Sequence, residues 1–236
     1  LINVFSKIHI RFECNKKLLD FFKKSKRSTS YEKIVRVNNR SFDEFKLSKL
    51  DISDDYIVLL DLNLNHKEDV ILREKINQSL ELEHYENLNK LLENLRSLYN
   101  KEVVVCIHPQ YNLEKTKNYF PNYKVLKFKT REMIYKAHLA LFFDTTAIMD
   151  AYFLNKKILS LKTRIPIITD STRYNKEFGT PIIDIYKKYD FTKHELDLNF
   201  SSANHTQQKF LETYIQVDGQ NVGIDKILTE CQELLK

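Results

Sequence analysis

The sequence predicts an α/β fold: a Rossmann-like parallel sheet with helices on both faces, closed by a helical C-terminal end. Three observations carry this. Apolar runs are of strand length and continuous, as in strands covered on both faces. They alternate with segments of helical period, the pattern of a parallel sheet. No unit of 20–50 residues repeats, so a solenoid is excluded. At 236 residues and 28.2 kDa, the chain suits one large or two small domains. A mean hydropathy of −0.45 and the lack of any long apolar run exclude a membrane-spanning helix from the reading.

The elements follow in order. The first 50 or so residues mix a helix-like segment at 16–24 with a strand-like run at 33–37, and 38–49 shows no clear period. A boundary falls at the acidic loop Asp51-Ile52-Ser53-Asp54-Asp55, giving an N-terminal segment 1–52 and a domain 53–236. Tyr56-Ile57-Val58-Leu59-Leu60 reads as a buried strand. Leu80, Leu88, Leu91, Leu92, Leu95 and Leu98 form a helical stripe over 80–99. Val103-Val104-Val105-Cys106-Ile107 is the clearest buried strand and stops at His108-Pro109, because proline cannot continue the ladder. Helix 113–119, strand 124–128, helix 131–137, strand 139–143, helix 146–154 and strand 157–161 come next. The remainder from 170 reads mainly as helix, ending in 224–235.

Composition limits the chemistry. The three glycines, Gly179, Gly219 and Gly223, cannot form a glycine-rich phosphate loop. A net charge of +6 is mild, and only Lys23-Lys24-Ser25-Lys26-Arg27 is a basic run. It reads as a solvated loop or as a contact to anionic membrane or glycan, and nucleic acid is not an expected partner. Cys14, Cys106 and Cys231 are scattered, which fits a reduced cytoplasmic protein better than a disulfide framework or a zinc site. The histidines have no metal-ligand spacing and no Asp-x-Asp follows a strand, so neither a metal nor a cofactor is expected. A start at Leu1 rather than Met fits the later part of something longer.

In open parallel sheets, ligands gather at the carboxyl ends of strands. Three features fall there. His108-Pro109-Gln110 follows the strongest strand and sets an imidazole at its end, as a phosphate donor or as an ordinary loop histidine. Asp144-Thr145-Thr146 opens a helix, where the hydroxyls cap the first turn or, with its N–H groups, hold an anion. Asp150 lies four residues after Thr146, on the same face of a regular helix. It is then within reach of ribose hydroxyls, or is a solvated helix residue. Lys162 and Arg164, just past the last strand, add charge or are simply solvated.

Together, strand–His-Pro and then, 37 residues after His108, strand–Asp-Thr-Thr–helix–Asp-Ala–strand resemble the nucleotide-binding half of bacterial GT-B glycosyltransferases. The likeness is to sialyltransferases and polysialyltransferases of capsule and lipopolysaccharide synthesis, and to teichoic-acid glycerophosphotransferases. It covers about residues 56–163. It implies that His108, Thr145 and Thr146 contact the donor's phosphates and that Asp150 contacts ribose or sugar. Asp150 stands where the family usually has Glu, and Asn155-Lys156-Lys157 replaces the usual Gly-Lys-Pro turn. A weaker resemblance, of residues 56–69 to surface-carbohydrate biosynthesis proteins, would turn Asp61 and His66 toward the cleft.

The resemblance implies a metal-independent enzyme using a CMP- or UDP-linked nucleotide-sugar donor and a glycan or glycolipid acceptor. It would be cytoplasmic, free in solution or peripheral to the inner membrane. The segment 1–52 would then be the remnant of an acceptor domain. Two alternatives stay open: a non-catalytic nucleotide- or glycan-binding module of an assembly complex, and a CDP-polyol phosphotransferase.

Overall fold

A computed structural model describes residues 8–17, 20, 24, 31–47, 51–61, 78–143, 145–165, 179–188, 191–215 and 223–234. The chain divides into two compact units, Leu1–Lys49 with Gln208–Lys236, and Leu50–Gln207.

In the first unit, β1 (Ile8–Glu13) pairs in parallel with β2 (Tyr31–Arg36), Ile10 opposite Lys33. Helix α1 (Arg40–Leu47) follows, and α7 (Gly223–Leu234) ends the chain's described part. Asp43 of α1 holds this unit together. Its buried carboxylate accepts from Asn38 Nδ2 at 3.0 Å and from the Gly223 N–H at 2.7 Å, and so satisfies an orphan donor at the start of α7. Glu230 on α7 pairs with Lys33 of β2 and, at 3.0 Å, with Lys226 one turn back. The helix expected at 16–24 falls partly outside the described residues.

The second unit is a six-stranded, all-parallel sheet in the order β5-β4-β3-β6-β7-β8. The strands are β3 (Tyr56–Leu60), β4 (Glu102–Ile107), β5 (Lys124–Lys127), β6 (Ala137–Phe142), β7 (Lys157–Lys162) and β8 (Ile182–Asp184). Between them lie α2 (Gln78–Tyr99), α3 (Leu113–Tyr119), α4 (Thr130–Tyr135) and α5 (Met149–Phe153); α6 (Lys193–Phe210) follows β8. Alternation assigns the faces. Ile57, Leu59, Val103, Val105, Leu139, Leu141, Leu159 and Leu161 meet the leucine stripe of α2 with Leu196 and Phe200 of α6. The even-numbered side chains, Val58, Leu60, Val104, Cys106, Ala140 and Phe142, are buried on the other face, where α4 and α5 lie; Tyr56 there donates to Met133 Sδ at 3.3 Å. A sheet covered on both faces is why its strands read as unbroken apolar runs.

The strands and helices expected from residue 53 to 161 are present, and the two units together show four differences from the reading. β8 interrupts the stretch expected to be helical. β1 and α1 stand where no element was read. The helix expected at 146–154 is a 3₁₀ turn, Thr146–Ile148, followed by the short α5. Asn100 and Asn155, at φ 49° and 51°, take the left-handed backbone that ends α2 and α5. Asn155 thus fills the place where a glycine is usual. Among the described residues, no helix is long and apolar enough to cross a membrane.

Candidate nucleotide site at the carboxyl edge

The order of the strands fixes where a crevice opens. From β3 the chain moves outward through β4 to β5, then returns past β3 to β6 and continues to β7 and β8. Its crossovers lie on opposite faces, with α2 on one and α4 on the other, so the topology reverses between the carboxyl ends of β3 and β6. Such a switch point is where ligands bind in open parallel sheets.

Three of the residues singled out from the sequence border this point. Asp61 follows β3, and its N–H donates to Cys106 O at 3.0 Å. Its carboxylate helps push the Tyr85 phenol well above its ordinary range, after burial and ahead of Tyr111, Glu81 and Tyr119. His108 follows β4 and is exposed. Thr145 follows β6. One strand separates β4 from β6, so their ends stand about 10 Å apart. His66 and Asp144 lie outside the described residues.

His108 is held by a turn that Pro109 directs: the Tyr111 N–H donates to His108 O at 3.0 Å, and the Gln110 N–H to His108 Nδ1 at 3.3 Å. Because Nδ1 accepts, the neutral ring carries its proton on Nε2. That is the tautomer that donates to a phosphate oxygen. Tyr111 is buried beneath, 6.3 Å from the imidazole between centroids.

Thr145 caps the turn after β6. Its Oγ1 accepts from the Ala147 N–H at 3.3 Å and its carbonyl from the Ile148 N–H at 3.3 Å. The capping half of the reading of this motif is therefore present.

Asp150 is not the solvent-facing carboxylate that a regular helix from Thr146 would give. The 3₁₀ turn changes the angular step, with three residues per turn, and Asp150 is 6% exposed. Its Oδ2 accepts from Arg131 Nε at 3.1 Å. A ribose hydroxyl would share that carboxylate with Arg131. Arg164 pairs with Glu83 at 3.2 Å and lies over the Tyr186 ring at 4.4 Å; Lys162, largely exposed, reaches Asp184 at 3.9 Å.

Three residues at this edge escaped the sequence reading. His84 on α2 is fully buried, its ring 5.3 Å from Phe143 and its Nδ1 3.0 Å from Thr163 Oγ1. Burial lowers its pKa to about 4. Arg131 is the second. The third is Phe128, 72% exposed at the end of β5 and held at φ 62°, rare for a bulky residue. Only the helical spacing of His84 with Leu88, Leu91 and Leu95 signals its burial in advance. Among the described residues, no three His, Cys, Asp or Glu side chains gather as a metal site.

No protein-family model and no curated protein matches the chain. Solved structures do. The UDP-GlcNAc 2-epimerase of Methanocaldococcus jannaschii, solved with UDP-GlcNAc and UDP, superposes with a TM-score of 0.51 at 15% identity, over 95% of this chain and 61% of that one. A Listeria monocytogenes protein assigned as a UDP-N-acetylglucosamine 2-epimerase gives 0.53 at 15% identity, over 96% and 59%. The chain thus spans about three fifths of the length of these structures. At such identities the likeness is one of fold. The fold is α/β, its six-stranded parallel sheet flanked by helices as in the Rossmann-like domains of GT-B proteins.

Proposed function

We propose that the chain is the donor-binding part of a nucleotide-sugar-dependent glycosyltransferase of the GT-B type, acting in bacterial surface polysaccharide synthesis. The observation that carries the reading is the switch point between β3 and β6, bordered by Asp61, His108 and Thr145. In this reading the Nε2–H of His108 and the Thr145–Thr146 turn hold the donor's phosphate. As the glycosidic bond to that phosphate breaks, negative charge grows on the departing nucleotide. Donors already aimed at that charge lower the barrier without reorganising. Transfer of this kind needs no metal from the protein. The acceptor is a glycan or glycolipid, and the general base belongs to a part of the enzyme that meets the acceptor. The fold neighbour from M. jannaschii was solved with UDP-GlcNAc and UDP, which supports a nucleotide-diphosphate sugar as ligand class.

The test is a thermal-shift panel of CMP, CDP, UMP, UDP, GDP and UDP-GlcNAc. A ligand at 100 times its Kd adds about 2.7 kcal/mol to stability, enough to move the midpoint by degrees. At least one nucleotide is expected to do so. If all six leave the midpoint unchanged, the donor-site reading fails. Turnover then separates enzyme from binding module: release of nucleotide from a CMP- or UDP-sugar supports the enzyme, and tight binding without release supports the module.

A further inference from the structure

Arg131 is the second residue of α4, so it stands at the carboxyl edge where the chain leaves β5. α4 touches β4, β3 and β6, the strands that border the switch point, and α5, which follows the Thr145 turn. The Arg131 Nε donates to Asp150 Oδ2, and the two partners differ in exposure: the Asp150 side chain is 8% exposed and the Arg131 side chain 40%.

A tie between α4 and α5 does not need an ion pair. Met133, Ile134 and Tyr135 of α4 and Ala151, Tyr152 and Phe153 of α5 are already buried, and burying a carboxylate carries a desolvation penalty that apolar packing avoids. What the carboxylate adds is direction. It fixes a planar guanidinium, a group whose fork matches the oxygens of a phosphate pair, at the edge where anions are expected.

We propose that Arg131 is a diphosphate-binding residue of the donor site and that Asp150 is its positioning residue. The inference rests on the donor-site reading above and narrows it. With His108 and the Thr145 turn at the same edge, the added fork suits the two phosphates of a nucleoside diphosphate better than the single phosphate of a CMP-linked donor.

The experiment measures, by calorimetry, the affinity of UMP, UDP, CMP and CDP for the wild-type chain and for Arg131→Gln, Arg131→Lys and Asp150→Asn, each checked by its melting midpoint. Wild type is expected to bind the diphosphate of its preferred base about tenfold or more tightly than the monophosphate, in line with one charge-assisted contact. Both Arg131 variants should bring that ratio toward one while monophosphate affinity changes little. The lysine keeps the charge but lacks the fork, so it should not rescue. Asp150→Asn should lower the ratio less, because it loosens the arginine without removing it. Three results overturn the proposal: a wild-type ratio near one, a folded Arg131 variant that keeps the wild-type ratio, or full rescue by lysine. The wild-type ratio decides even where a variant does not fold. If wild type binds none of the four nucleotides, this inference falls, and the donor-site reading falls with it only if GDP and UDP-GlcNAc are silent too.

Discussion

His84 gives the most direct handle on how burial at the carboxyl edge is paid for. Its imidazole is fully buried and reaches the hydroxyl of Thr163, and burial lowers its pKa from 6.5 to about 4. The folded form holds it neutral, while the unfolded chain protonates it below 6.5. A lowered pKa of a cation means that stability falls as pH drops through the window from 6.5 to 4. Linkage gives a loss, relative to pH 7.5, of about 1 kcal/mol at pH 5.5 and roughly 2–3 kcal/mol at pH 4.5. The perturbation is His84→Asn, whose side-chain amide stands near the Nδ1 position and can keep a hydrogen bond with Thr163, but cannot titrate. Other groups are common to both proteins and cancel in the difference. His138 is lowered by burial and by Lys157 and Lys101. At Asp54 and Asp197, burial pulls upward but Lys156 and Lys157 outweigh it, leaving both below the usual carboxylate range. Their stabilisation is lost only as pH falls beneath that range. The assay is urea denaturation of both proteins at pH 7.5, 5.5 and 4.5. The variant will be less stable at pH 7.5 because it leaves space, and the gap should shrink by the amounts above as pH falls. A gap that stays constant across the three values would refute the reasoning.

His108→Ala should leave the melting midpoint nearly unchanged, since the side chain is exposed, and should weaken nucleotide binding by about 1.5–3 kcal/mol as a charged hydrogen bond is lost, read by calorimetry. Gly223→Ala should destabilise by about 1–3 kcal/mol in urea titration, because its Cβ would stand 2.7 Å from Asp43 Oδ2 and 3.2 Å from Asn38 N. Thr145→Ala should cost about 0.5–2 kcal/mol of stability as a lost cap, with Thr145→Ser nearly silent. The further question, nucleotide affinity of the folded Thr145→Ala protein, separates a cap from a phosphate ligand: an unchanged affinity leaves only the cap.

The sheet was legible because its strands are buried on both faces, so Val103-Val104-Val105-Cys106-Ile107 needs no alternation to be recognised. Helix α3 has a local signal that the reading did not use: Asn112 Oδ1 accepts the Lys115 N–H at 3.0 Å, an N-cap. β8 was not legible, because three residues carry no period and become a strand only by pairing with Ser160–Lys162 of β7. β1 could have been read: Ile8, Ile10 and Phe12 alternate with His9, Arg11 and Glu13. α1 owes its place to Asp43 and its long-range bond to Gly223, which no local pattern announces. At the site, His108 and the Asp144-Thr145-Thr146 motif were found because they come at the ends of strands, and Asp61 through the likeness of residues 56–69. His84 and Arg131 sit on helices, and which strand ends they overlie depends on packing. The Asp150 expectation assumed a regular helix from Thr146, and the 3₁₀ turn removes that premise.

The central position of β3 has a consequence for how the chain assembles. β3 lies between β4 and β6, with Tyr56 opposite Glu102 on one side and Ala137 on the other. The nearer pairing closes through α2 and is available once Ile107 has been made; the farther one waits for thirty more residues. At synthesis rates of about 5–20 residues per second, that is a delay of roughly 2–6 s, long compared with hydrophobic collapse. During it, Ile57, Val58, Leu59 and Leu60 carry one open edge with apolar side chains on both faces, the kind of strand that pairs with a neighbouring chain. Chaperone dependence of the nascent chain should therefore peak between the emergence of β4 and that of β6, and mutations that slow α4 should lower yield more than their effect on final stability predicts.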